Sequence, residues 1–61
     1  MLQLIIIKIE GQFYLLNIVD GNVNEMLTYG NFKQIAEEVE EIRLFFETTI
    51  IFKNCDIKRS V

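Results

Sequence analysis

The chain has 61 residues, 51% of them apolar and 25% charged, with a formal net charge of −3. That length holds one domain and leaves little room for a cleft that encloses a substrate. One cysteine and no histidine exclude an intrachain disulfide framework and the usual zinc sites, while the apolar fraction is too high for a disordered tail.

Residues 2–9, LQLIIIKI, are rich in β-branched isoleucine and show no helical period, so they predict a strand. The N-terminus is not read as a signal peptide. It has no basic leading segment, Lys8 interrupts it, and no small-residue cleavage site follows. Residues 12–19, QFYLLNIV, predict a second strand. Glu10-Gly11 is too short a link for anything but a hairpin. With those two at the turn, Ile9 faces Gln12, Ile7 faces Tyr14 and Ile5 faces Leu16. On the other side Lys8 faces Phe13, Ile6 faces Leu15 and Leu4 faces Asn17. An antiparallel sheet with one wet face alternates apolar and polar residues. This hairpin is largely apolar on both faces and asks for cover on both.

Asp20-Gly21-Asn22 is a good reverse turn. Residues 23–29, VNEMLTY, then alternate, with Val23, Glu25, Leu27 and Tyr29 on one side and Asn24, Met26 and Thr28 on the other. A short third strand is expected there. Gly30-Asn31 opens a helix. Asn31 suits the N-cap, and Gln34 completes a capping-box pair. Phe32, Ile35, Ala36, Val39, Ile42 and Phe46 make one apolar stripe over about four turns. No glycine marks the helix end, expected near residues 44–47. Thr48 to Lys53 returns to β-branched residues and predicts a final strand. The fold expected is α+β. A small, mostly antiparallel sheet of three or four strands, in the order β-β-(β)-α-β, carries one amphipathic helix on one face. Residues 1–54 form a single domain, and residues 55–61 a basic, frayed tail.

Little in the sequence carries chemistry. Without histidine, and with Ser60 as the sole serine, no Ser-His or Cys-His pair can be built within the chain. No phosphate-cradling glycine motif occurs. Cys55 has no imidazole base and reads as an ordinary thiol. The sequence points to no enzyme, no cofactor and no metal. Glu37, Glu38, Glu40 and Glu41 form the densest charge cluster. No second set of ligands faces them, so they read either as a solvated helix face or as a patch that meets a basic partner surface. The patch is the candidate partner-binding site, with Glu37, Glu38 and Glu41 outward and Glu40 nearer the side.

Phe45 and Phe46 are adjacent and cannot both enter one core. Together with the two-faced hairpin they exceed what one helix covers, and large uncovered apolar patches mark interfaces. Ile5, Ile7, Tyr14, Leu16 and Phe45 are the candidate self-association residues. Ten Ile, five Asn, five Phe and four Lys stand against one Ala and no Pro, a usage favoured by AT-rich codons. The longest uncharged stretch, Gly11–Val19, is far short of the ~20 residues of a membrane span. These features predict a homodimeric, cytoplasmic protein-interaction module, the product of a phage or mobile element that inhibits or redirects a host protein. The alternative is a regulatory nucleic-acid-binding protein that uses Lys53, Lys58 and Arg59 of the C-terminal region. An acidic chain is a poor general binder of phosphates, so nucleic acid is the weaker expectation.

Overall fold

The computed structural model describes residues 1–56. Leu2–Ile9 forms β1 and Gln12–Val19 forms β2. Glu10 and Gly11 between them both have positive φ, 50° and 77°. That is the signature of a two-residue type I′ turn, whose twist matches the strands it joins. It sets the register read from the sequence, with Ile9 opposite Gln12, Ile7 opposite Tyr14 and Ile5 opposite Leu16. Asp20 and Gly21 make a second turn of this kind, at φ 53° and 80°.

The second turn leads into β3, Asn22–Gly30, which pairs antiparallel with β2. The simple alternation expected along β3 does not hold. The register shifts between Leu15 and Leu16 and again between Leu16 and Ile18. Tyr29 therefore lies opposite Tyr14, Met26 opposite Leu16 and Val23 opposite Ile18. Directly opposed residues share a face. The extra residue at each irregularity thus turns Met26 onto the face of Tyr29, instead of the face of Thr28. Asn17 supports the second irregularity, where its Oδ1 accepts the Glu25 N–H at 2.8 Å in place of a ladder partner.

Asn31 caps the helix α1, Phe32–Arg43. Its Oδ1 accepts the Gln34 N–H and the Gln34 Oε1 accepts the Asn31 N–H, both at 2.9 Å. Two of the unpaired donors at a helix start are satisfied this way. Ile35 and Val39 are buried, and Ala36 and Ile42 half-buried. Leu44 ends the helix in a right-handed conformation, and the N–H groups of Phe45 and Phe46 both bond the Ile42 carbonyl. The apolar stripe does not run on to Phe46, which lies past the helix end and is 59% exposed. Once the chain leaves the helix, its period no longer places side chains.

β4, Thr48–Asn54, runs parallel to β1, and the strand order is β3-β2-β1-β4. The four-stranded sheet is therefore mixed, with two antiparallel pairs and one parallel pair. α1 is the crossover that carries the chain from β3 to β4, as a parallel connection requires. The parallel ladder continues beyond the strand, where Cys55 donates its N–H to the Lys8 carbonyl at 2.8 Å.

Period-2 geometry puts Leu4, Ile6 and Leu15 on one face. α1 covers that face and closes a core of Leu4, Ile6, Leu15, Ile35 and Val39, flanked by Leu2, Phe13, Ile42 and Ile50. Burying each of the five is worth about 1.5–3 kcal/mol, a modest sum for one domain. α1 lies closest to β2 and β3. At the far edge Phe52 shares the helix side with Ile6 but stays 53% exposed.

Candidate interaction surface

The other sheet face has nothing over it among the described residues. β1 contributes Gln3, Ile5, Ile7 and Ile9, and β2 contributes Gln12, Tyr14, Leu16 and Ile18. β3 adds Val23, Met26 and Tyr29, and β4 adds Thr49, Ile51 and Lys53. Lys53 is the single charge in that set. The central side chains Ile5, Ile7, Tyr14 and Leu16 shield one another and are half-buried. The outer ones are open, with Met26 at 48%, Ile51 at 53% and Tyr29 at 58% exposure. Tyr14 and Tyr29 stack with ring centroids 6.2 Å apart. Both tyrosines of the chain therefore lie on this face.

Four of the five residues assigned to self-association from sequence, Ile5, Ile7, Tyr14 and Leu16, are thus neighbours on one surface. Phe45 is not. It belongs to the turn between α1 and β4, where Leu44, Phe45 and Phe46 are 78%, 76% and 59% exposed. Leu2 donates its N–H to the Glu47 carbonyl, which keeps this apolar tip at the β1 start. Sequence reasoning also missed part of the face. Ile9 and Ile18 follow from strand parity alone. Ile51 needed the parallel register of β4, and Met26 needed the two irregularities of β3 to be known, whereas Val23 and Tyr29 share a side in the simple alternation as well.

The acidic cluster lies on the opposite side of the molecule, on α1. Glu37, Glu40 and Glu41 are exposed, whereas Glu38 is half-buried. The flanking residue is therefore Glu38 and not Glu40. At about 100° per residue Glu38 falls closer to the Ile35–Val39–Ile42 stripe. No ion pair involves these carboxylates among the described residues, and no three acidic or thiol groups converge there as a metal site.

Asp56 makes the remaining polar cluster. Its carboxylate accepts the backbone N–H of Glu10 and, at 3.1 Å, that of Gly11. Lys8 Nζ stands 3.6 Å away and also lies over the Phe13 ring, 5.8 Å from its centroid. The Gly11 N–H is the main cause that holds the Asp56 carboxyl below its ordinary value of 3.8. Desolvation opposes it, and the Glu10 N–H and the Lys8 ammonium add to it. Cys55 beside it is a half-buried free thiol. Residues 57–61, including Lys58 and Arg59 on which the nucleic-acid reading leaned, lie outside the described residues.

One shallow, open depression of about 400 Å³ is lined by Glu10, Gly11, Gln12, Gly30, Asn31 and Gln34. The polar ends of Asn31 and Gln34 are used in the helix cap. No helix among the described residues is long and apolar enough to cross a membrane. Compared with known proteins, the chain matches no family model, no curated protein and no solved structure.

Proposed function

We propose that this protein is a small, non-enzymatic interaction module that works through protein–protein contact surfaces. The observation that carries this is the sheet face left uncovered among the described residues, where Lys53 is the single charge at a paired position. Contiguous apolar surface of that extent marks a contact site. The exposed carboxylates Glu37, Glu40 and Glu41 on the opposite side supply a second surface, suited to a basic patch on a partner. Residue usage, with ten Ile and five Asn against one Ala, supports a phage or mobile-element product that inhibits or redirects a cytoplasmic host protein.

The test is affinity capture from a low-GC bacterial lysate. The parent is compared with a variant carrying Glu37→Gln, Glu40→Gln and Glu41→Gln, at two salt concentrations. A protein held by the parent, and lost from the variant or at high salt, is expected. Salt-sensitive retention of nucleic acid, with no protein held above an unrelated control, would replace this reading with the nucleic-acid one.

A further inference from the structure

We infer that the occupant of the open sheet face is a second copy of this chain, stacked sheet to sheet with the two helices outside. This rests on the sheet face being a contact surface, as proposed above, and names what covers it.

Size is the first argument. Four strands at a spacing of about 4.8 Å and eight residues at about 3.3 Å give a face of about 19 by 26 Å. Two such faces in contact remove at least about 1,000 Å² from water, the area a specific interface needs. A single helix from another partner is about 10 Å wide and would cover only half of it. Another sheet with the same twist stacks along the whole face, with strands aligned within about 30°.

Charge is the second argument. The chain carries −3, which opposes self-association in general. No register-paired position of the open face carries a negative charge, and among the described residues paired there Lys53 is the single charge, near the β4 edge. The densest group of exposed glutamates, Glu37, Glu40 and Glu41, sits on α1, behind the sheet. Stacking leaves the two helices roughly 30 Å apart, counting about 10 Å between sheets and about 10 Å from each sheet to its helix. That exceeds the Debye length of about 8 Å severalfold, so the acidic surfaces do not resist pairing. An apolar face whose one charge lies near its edge is also complementary to itself, as a two-fold contact requires.

Tyrosine placement supplies the test. Tyr14 and Tyr29 are the only tyrosines, both lie on the open face, and the chain has no tryptophan. Tyrosine fluorescence therefore reports on this face and not on the Leu44–Phe46 tip or the β4 edge. Light scattering at micromolar concentration should give twice 7.2 kDa. Acrylamide quenching should be several-fold weaker in the assembled protein than after dilution. Met26→Lys with Ile51→Lys, at positions 48% and 53% exposed in the single chain, should halve the mass, open the tyrosines to quenching and leave the far-ultraviolet dichroism in place. A single-chain mass for the parent overturns the second copy; the sheet face as a partner site then stands or falls on whether captured protein is lost from this variant. A double mass with freely quenched tyrosines also overturns it and moves the contact to the tip or the edge. If the variant fails to fold, mass and quenching of the parent still decide.

Discussion

Gly11 donates its backbone N–H to Asp56 Oδ2 at 3.1 Å, across 45 positions of sequence. The same carboxylate accepts the Glu10 N–H. Glu10 occupies the left-handed region at φ 50° with a full side chain, a strained choice for the first hairpin. Asp56 fastens that turn to the end of the last strand and so ties the first hairpin to the parallel pair.

This clasp makes stability depend on pH in a defined direction. The Asp56 carboxyl titrates below 3.8 in the folded chain, chiefly through the Gly11 N–H. Its contribution is therefore complete above the unfolded value and is lost as pH falls through the folded one. Asp56→Ala should melt below the parent at about pH 6, and the gap should close towards about pH 2. A gap that is the same at both ends would show that the ionised carboxylate is not what holds the turn.

The helix start should be sensitive at three positions. Asn31→Ala removes the acceptor for the Gln34 N–H and should cost about 1 kcal/mol. Gly30 has φ 149°, and a Cβ there would overlap Gln34 Oε1 as it sits in the cap. Gly30→Ala should cost about 1–3 kcal/mol through strain and a displaced Gln34. In a Gln34→Ala background that overlap is gone, so the cost should shrink by about 0.5 kcal/mol or more. Denaturant titration of the four proteins measures it, and strictly additive costs would mean that the two residues do not compete for the same space.

Phe46 and Ile35 should separate sharply, although helical periodicity places both on the core stripe. Ile35 is fully buried, and Ile35→Ala should cost about 2–5 kcal/mol. A domain of this size has only about 3–5 kcal/mol in reserve, so the variant should be largely unfolded. Phe46 is 59% exposed, and Phe46→Ala should stay within about 0.5 kcal/mol of the parent. The melts belong at one protein concentration, since assembly would make them concentration-dependent. A large loss for Phe46→Ala would place its ring in the core.

Local chemistry carried much of this fold. The isoleucine run, the Glu10-Gly11 turn and its register, and the Asn31–Gln34 cap each depend on residues a few positions apart, so a single sequence displays them. The same holds for the excess of apolar surface, because both hairpin faces could be read from strand parity. Long-range packing set the rest. Placement of β4 beside β1, in parallel, determines which hairpin face the crossover helix covers, and the handedness rule for such crossovers applies only once that strand order exists. It leaves Ile5, Ile7, Tyr14 and Leu16 half-buried on the open face while Leu4, Ile6 and Leu15 enter the core. The second irregularity of β3 lies where Asn17 takes the Glu25 N–H, a side-chain choice that period-2 counting does not contain. Phe46 leaves the core because the chain must stop its helix at Leu44 to bring Glu47 beside Leu2 and start β4 there.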